Sequence, residues 1–189
     1  MIRYRNLLTA AMVFFVAGSA FAEVSWDAVQ KKATSAKSYE VNYDFTGSKG
    51  TFKFNYRCVM PNKIRAEILE SSDASKVGTI LVWDGKDKVT AKVGGGVVIR
   101  KTSHKDVVGT AFYQPLLQLV IDQVKGQGTP TKTVDGNKTK FSFKTGNGTY
   151  NVWALDNGDI AKTERNDGHD RETRELKTIK YDGNPNCDF

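Results

Sequence analysis

The sequence predicts a mainly β (α+β) fold, in which one strongly curved antiparallel sheet of about eleven strands carries two helices on its concave face. Three observations lead to this prediction. Apolar and polar residues alternate along most of the chain, which places every second side chain on the same face of a sheet. Turn sequences rich in Gly, Asn and Asp separate the alternating runs. Two other stretches have apolar residues at helical spacing instead.

The alternating runs fall into two groups. In the second run, Phe52, Phe54 and Tyr56 alternate with Lys53 and Asn55, so one face of this strand is aromatic and the other is polar. An Asp-Gly turn follows the fourth run and predicts a hairpin. The predicted strands cover residues 38–45, 52–60, 63–68, 79–83, 88–93 and 97–100 in the first group, and residues 131–134, 138–144, 149–155, 160–166 and 172–181 in the second.

The first predicted helix covers residues 25–36 and is short. Ser25 can cap its start, Asp27 suits its first turn, and Val29 and Ala33 share one face. Such a helix can pack its apolar face on the sheet.

The second predicted helix covers residues 107–125, between the two groups of strands. Pro115 must lie near the start of this helix or kink it. The helix is apolar enough to cover the concave side of a sheet, because its apolar residues recur at helical spacing: Phe112, Leu116, Leu119, Val120 and Ile121. One alternative stays open, namely that the aromatic strand faces form an ordinary β-sandwich core without a cavity.

Residues 1–22 have the pattern of a cleavable signal peptide, and residues 23–189 form the predicted domain. Two arginines precede an apolar run of twelve residues, and Ala20-Phe21-Ala22 offers the small residues that signal peptidase reads. The run is shorter than the ~20 apolar residues that a membrane-spanning helix needs. Cleavage before Glu23 leaves no N-terminal Cys for acylation, so we expect an exported, soluble, periplasmic protein.

The chain has an excess of basic residues, with 28 Lys and Arg against 21 Asp and Glu and a formal net charge of +7. Removal of residues 1–22 takes away two of the basic residues and leaves a net charge of +5. The excess is modest and spread along the chain, which is typical of a solvated β surface rather than of a nucleic-acid site. We therefore expect no nucleic-acid partner, while contact with an anionic membrane surface stays open.

Two cysteines, Cys58 and Cys187, remain in the predicted domain. In an oxidising compartment a pair of cysteines indicates one disulfide, here between an early strand and the C-terminal tail. Two free thiols are the alternative.

Three segments carry a resemblance to a known family. An aromatic strand over residues 52–58 precedes the sequence MPNKIRAE at residues 60–67, and GTILVWDGK follows at residues 78–86. An apolar helix then begins near Thr110-Ala111-Phe112. This order resembles the lipoprotein-localisation carrier superfamily, which contains LolA-like and LolB-like proteins and the RseB-like lipid-sensing domains.

The resemblance implies an open β half-barrel whose helices form a lid over an apolar cavity. It also implies a periplasmic carrier that binds the acyl chain of a lipoprotein or lipid and exchanges it with a membrane-protein donor or acceptor. Burial of an acyl chain supplies the binding energy, because each buried CH₂ contributes about 0.8 kcal/mol. A helix that the ligand must first displace lowers the net affinity enough for release. No cofactor and no metal are expected.

The sequence departs from the family at the lid. In the best-known soluble carriers an Arg directly before the strand-ending Pro ties the lid to the barrel, whereas Met60 takes that position here. Arg57 and Arg65 are the candidate replacements for this latch. The departure leaves open whether the cargo is a lipoprotein, a glycolipid or another membrane lipid.

The predicted binding face combines apolar residues of the strands with those of the second helix. For Leu81 and Trp83 the inward orientation depends on strand parity, which the sequence alone leaves undetermined. The predicted ligand-binding residues are Phe52, Phe54, Tyr56, Ile64, Ile68, Leu81, Trp83, Phe112, Leu116, Leu119 and Val120.

Two other functions compete with carriage. One is a lipid sensor that signals through a membrane partner, and the other is a small secreted hydrolase on a calycin-like barrel. A hydrolase would need an oriented nucleophile, but Ser103 and His104 are adjacent and would point to opposite faces of a strand. His169 lies in an acidic turn without the spacing of an EF-hand or a zinc protease, so we expect neither catalysis nor metal binding there.

Overall fold

The strands lie in a single antiparallel sheet, seen in a computed structural model that describes residues 23–94, 96–101 and 114–189. The first six strands are β1 (Ser38–Gly47), β2 (Gly50–Val59), β3 (Lys63–Ser71), β4 (Ile80–Trp83), β5 (Lys88–Val93) and β6 (Gly96–Lys101). The other five are β7 (Thr131–Asp135), β8 (Lys138–Thr145), β9 (Gly148–Leu155), β10 (Ile160–Asn166) and β11 (Arg171–Tyr181). The helices are α1 (Trp26–Ser35), α2 (Leu116–Gln123) and a short 3₁₀ turn (Ala74–Lys76).

Two meanders make up this sheet, and its strand order is β6-β5-β4-β3-β2-β1-β11-β10-β9-β8-β7. Every neighbouring pair is also adjacent in sequence except β1 and β11, which join the two meanders. In the described part of the chain, β6 and β7 are the two edges, so the sheet is open rather than a closed barrel. The predicted mainly β fold, a curved half-barrel of eleven strands with two helices, is confirmed.

The concave face of the sheet is apolar and carries the core. Tyr39, Val41 and Tyr43 of β1 are buried, and each lies opposite an inward residue of β2. The alternation that predicted the strands also sets this face, because β1, β2 and β3 turn most of their aromatic and aliphatic side chains inward. α1 and α2 contact each other and pack against this face through their own buried residues.

The first helix begins where the sequence predicted. The Ser25 side chain accepts a hydrogen bond from the Ala28 N–H (3.2 Å) and so caps the helix. Val29 and Ala33 are buried on the inward face. Near the other end, the Lys32 ammonium group donates to the Asn157 carbonyl (2.9 Å), which ties α1 to the turn between β9 and β10.

The second helix is shorter than predicted within the described residues. Pro115 has an extended backbone (φ −50°, ψ 121°), so the helix starts at Leu116, and it ends at Gln123. A helix that continues through Pro115 is therefore wrong, because this residue provides no N–H and its extended backbone interrupts the helical turn. Residues 1–22 and 102–113, including Ser103, His104 and Phe112, lie outside the described part of the chain.

Two tyrosines of the sheet hold the start of α2. The Leu116 N–H donates to the Tyr56 hydroxyl (3.1 Å), and the Leu117 N–H donates to the Tyr39 hydroxyl (3.2 Å). The Tyr56 hydroxyl in turn donates to the Gln114 carbonyl (2.9 Å). The first N–H groups of a helix have no partner inside it, so these hydroxyls replace the side-chain cap that Pro115 cannot supply. Burial raises the pKa of both tyrosines well above the usual value and keeps the hydroxyls protonated.

Two of the sequence segments that carried the resemblance touch each other. Asp84 accepts hydrogen bonds from the backbone N–H groups of Lys86, Asp87 and Lys88, which forms the predicted hairpin turn. Gly85 has a positive φ of 82°, and a Cβ at this position would come within 2.6 Å of the Asn62 side chain. The Pro-Asn turn before β3 and the Asp-Gly turn after β4 therefore pack against each other, and glycine is required between them.

The C-terminal tail runs back to the start of β1. The Ser38 hydroxyl donates to the Gly183 carbonyl (2.7 Å), and Lys63 pairs with Asp188 (2.8 Å). Both cysteines are buried free thiols in the structure, so the predicted disulfide is not formed in it. Burial raises the pKa of the Cys58 thiol to about 12, and the nearby Cys187 adds to this rise.

Loss of the Tyr56 hydroxyl should destabilise the fold. Tyr56→Phe keeps the ring but removes the partner of the buried Leu116 N–H, so we expect the free energy of unfolding to fall by about 1–3 kcal/mol. Urea denaturation measures this change. Tyr43→Phe is the matched control, because Tyr43 stacks on the same face but lines a pocket, and its effect should stay within about 0.5 kcal/mol. Equal losses in the two variants would show that the hydroxyl does not hold α2.

Candidate ligand-binding site

An apolar pocket of about 590 Å³ opens on the concave face beside α2. The tyrosines that hold the start of α2 lie toward one end of β1 and β2, and the pocket lies toward the other end, near the β1–β2 turn. The lining residues come from both meanders and from α2: Tyr43, Phe45, Lys49, Phe52, Phe54, Ile68, Lys76, Thr79, Leu81, Val93, Leu119, Gln123, Tyr150, Arg165, Glu172 and Arg174. We call this space the apolar pocket.

A row of aromatic rings forms the floor of the apolar pocket. The ring centroids of Tyr43 and Phe54 are 4.9 Å apart and stacked, and those of Phe52 and Phe54 are 5.7 Å apart. Phe45 lies 6.2 Å from Phe52 by the same measure. Phe45 and Phe52 are only half-buried, so the outer end of the row offers apolar surface to a ligand.

The predicted binding residues divide into two sets along the concave face of the sheet. Phe52, Phe54, Ile68, Leu81 and Leu119 line the apolar pocket. The rest of the described set lies in the core at the end that α2 fills, where its members pack against one another: Tyr56, Ile64, Trp83, Leu116 and Val120. The two sets differ in their position along the strands, because the strands run from the pocket at one end of the concave face to the core under α2 at the other.

Several lining residues were not predicted. Tyr43 and Phe45 share the parity of Tyr39 on β1, so the alternation of that strand could have identified them. Arg165 and Arg174 also lie on the concave face, at positions where the alternation along the strands predicts apolar residues. No pattern in the sequence indicates that these two strands turn arginines inward.

Charged groups surround the open end of the apolar pocket. The Lys76 ammonium group lies 5.5 Å from the centroid of the Phe52 ring, and the Arg174 guanidinium carbon lies 5.2 Å from that of Phe45. Glu172 pairs with Arg174 (3.3 Å) and Arg165 (3.6 Å). The apolar pocket therefore combines an apolar floor with a polar, mainly basic mouth.

Arg57 and Arg65 do not hold the described part of α2. They lie opposite each other on β2 and β3, between inward-facing neighbours, and so on the convex face of the sheet. Arg57 contacts Glu40 (3.3 Å), and Arg65 contacts Glu67 (2.8 Å). Strand parity turns both arginines away from α2, and the hydroxyls of Tyr39 and Tyr56 bond to the start of this helix.

A second depression, of about 650 Å³, lies between α1 and the segment that follows α2. Trp26 and Phe143 form its apolar side, whereas Asp27, Gln30 and Lys125 make much of the rest polar. This mixed and open surface is less suited to a hydrocarbon chain than the apolar pocket is.

The described residues provide little support for other chemistry. His169 is exposed at the turn between β10 and β11. Among the residues that the structure describes, no group of three or more His, Cys, Asp or Glu side chains could hold a metal ion. None of the described helices is long and apolar enough to cross a membrane.

Comparisons with known proteins find similarity in structure. No family model matches the chain, and no curated protein matches it at the level of sequence. LprF from Mycobacterium bovis is 14% identical, with a TM-score of 0.52, over 88% of this chain and 98% of that one. A LolA superfamily protein from Nitrosomonas europaea is 9% identical, with a TM-score of 0.44, over 84% and 92%. A putative outer membrane lipoprotein-sorting protein domain from Vibrio parahaemolyticus is 8% identical, with a TM-score of 0.40, over 83% and 91%.

At these identities the likeness concerns the fold alone. The strand order, the open edges and the helices on the concave face agree with the architecture that the resemblance implied. The chain shares its open, curved half-barrel fold with LprF.

Proposed function

We propose that this chain is a carrier that binds the acyl chain of a lipid or lipoprotein in the apolar pocket, with α2 as part of the lid. The observation that carries the proposal is the pocket itself, with about 590 Å³ of space over a floor of aromatic and aliphatic side chains. This volume falls within the roughly 300–1,000 Å³ of typical small-molecule sites. A solidly packed core, as in the β-sandwich alternative, would leave no such space.

The position of α2 suggests how binding and release are balanced. A hydrocarbon chain can enter the pocket with α2 in place, and each CH₂ it buries contributes about 0.8 kcal/mol. A longer chain would have to displace α2 from Tyr39 and Tyr56, which costs the two hydrogen bonds to the helix and the contacts of Leu116 and Leu117. The displaced contacts offset part of the gain, which limits affinity and permits transfer.

Location and partners complete the proposal. We propose that residues 1–22 direct export and are removed, and that residues 23–189 work in the periplasm. There the carrier, acting as a chaperone for its cargo, would receive its ligand from one membrane protein or deliver it to another. A stable complex with a membrane-protein ectodomain, in place of transient exchange, would favour the sensor alternative.

Filling the apolar pocket should weaken ligand binding. Ile68→Trp places a bulky ring where Ile68 lines the pocket, so we expect at least about tenfold weaker binding of a fluorescent fatty acid. Titration by fluorescence measures the affinity, and native mass spectrometry of detergent-free protein detects co-purified ligand. An ester ligand recovered intact supports carriage, whereas a cleaved ester would support the hydrolase alternative.

The adjacent residue provides the control for this substitution. Leu69 is 44% exposed, so Leu69→Trp adds the same ring outside the pocket and should leave affinity unchanged. Circular dichroism of both variants separates loss of binding from loss of fold. Absence of binding by the unmodified protein, with no co-purified lipid and no uptake of acyl probes, would refute the proposed function.

We also propose that Cys58 and Cys187 form a disulfide in an oxidising compartment. Both are buried, and Cys187 is close enough to raise the pKa of Cys58. Protein recovered from the periplasm should then resist alkylation after denaturation until a reductant is added. Cys187→Ser should lower the free energy of unfolding by about 4 kcal/mol, since the bridge closes a loop of more than 100 residues. Immediate alkylation of both thiols in the denatured protein would contradict the bridge.

A further inference from the structure

The mouth of the apolar pocket carries an excess of positive charge. Its lining includes Lys49, Lys76, Arg165 and Arg174 but a single acidic residue, Glu172. Two of these cations come from the first meander and two from the second, so they face the opening from both sides. Acidic groups just outside the lining pair with part of this charge, namely Asp73 with Lys76 (3.3 Å) and Asp167 with Arg165 (3.8 Å).

The two arginines are unusual because they project from the concave face of the sheet. Arg174 lies opposite Phe45 of β1 and opposite Thr163 of β10, which is fully buried. Its side chain is 13% exposed, so the guanidinium group is largely removed from water. A charge in such a site is costly unless it is paired and hydrogen-bonded.

Glu172 supplies only part of the pairing that the arginines need. One carboxylate serves both guanidinium groups, at 3.3 Å from Arg174 and 3.6 Å from Arg165. Both distances exceed the roughly 2.7–2.9 Å of a strong charge-assisted hydrogen bond. The Nε atoms of both arginines are buried and have no hydrogen-bond partner in the part of the chain that the structure describes. Two guanidinium groups whose pairing by Glu172 is incomplete are suited to a carboxylate or phosphate, whose oxygens can accept two hydrogen bonds from a guanidinium group at once.

We infer that the ligand is an amphiphile with an anionic head, whose carboxylate or phosphate binds Arg174 and Arg165 while its hydrocarbon chain lies on the aromatic floor. The two parts of the site adjoin, because Arg174 stacks on Phe45, the outermost ring of the row. Lys49 and Lys76 at the opposite side of the mouth add long-range attraction to the same head. This inference rests on the proposed function, since it specifies the class of acyl ligand that the pocket takes.

The test compares probes that differ only in charge. The fluorescent fatty acid cis-parinaric acid and its methyl ester have the same chain, but only the acid carries a carboxylate. We expect the unmodified protein to bind the acid about tenfold more tightly than the ester. Dioctanoyl phosphatidic acid and dioctanoyl glycerol differ in the same way, because only the first carries a phosphate. Their affinities are compared by displacement of the fluorescent probe.

Three substitutions test which side chains carry the preference. Arg174→Gln should reduce the acid-to-ester ratio about tenfold, mainly by weakening binding of the acid. Lys76→Gln changes an exposed side chain with little risk to folding and should reduce the ratio by a smaller factor. Arg171→Gln is the matched control on the same strand, because Arg171 is exposed and pairs with Glu164, and it should leave the ratio unchanged.

The outcomes separate this inference from the function on which it rests. Equal affinity for acid and ester in the unmodified protein, with both bound, would overturn the anionic head and leave acyl binding intact. A ratio that survives Arg174→Gln would also overturn it. Failure of all four probes to bind would refute the proposed function itself. A preference for the carboxylate alone would support a free fatty acid as the source of the anion, and a preference for the phosphate a phospholipid.

Discussion

The hydroxyl groups of Tyr39 and Tyr56 bond to the first backbone N–H groups of α2 from inside the curved sheet, and the position of the lid depends on this contact. A helix that starts after Pro115 has no side chain of its own to cap it, so the sheet provides the acceptors. The tyrosines lie toward one end of β1 and β2. Within the described part of the chain, α2 packs at that end, and the aromatic row lines the apolar pocket at the other.

Much of the fold could be predicted because the alternation of side chains has a simple cause. A strand that packs one face on a core must place an apolar residue at every second position, and β1, β2 and β3 do so here. The start of α1 was predictable for a similar reason, since Ser25 is one of the few residue types that can cap a helix. For α2, local sequence left two places for Pro115, the helix start or a kink, and the hydrogen bonds between the N–H groups of Leu116 and Leu117 and the two tyrosine hydroxyls hold the start there.

The candidate site was predictable only in part, because its limits are set by what α2 covers. Phe52 and Tyr56 are equivalent in the pattern of β2, yet one lines the pocket and the other lies beneath the helix. For Arg57 and Arg174, the residue type does not reveal on which face of the sheet the side chain lies. Both are basic residues within strands, but parity places the first on the convex face and the second on the concave face. Only the register of neighbouring strands distinguishes them.

The pairing of β1 with β11, the first and last strands, determines when the two meanders can join into one sheet. Each meander pairs strands that follow one another in sequence, so its hairpins can form as soon as they emerge from the ribosome or a translocation channel. β1 must wait for β11, which lies beyond residue 170. Until that strand arrives, the two halves of the concave face cannot pack against each other. The interval before β11 docks is therefore when the nascent chain is most exposed to aggregation and has most need of a holding factor.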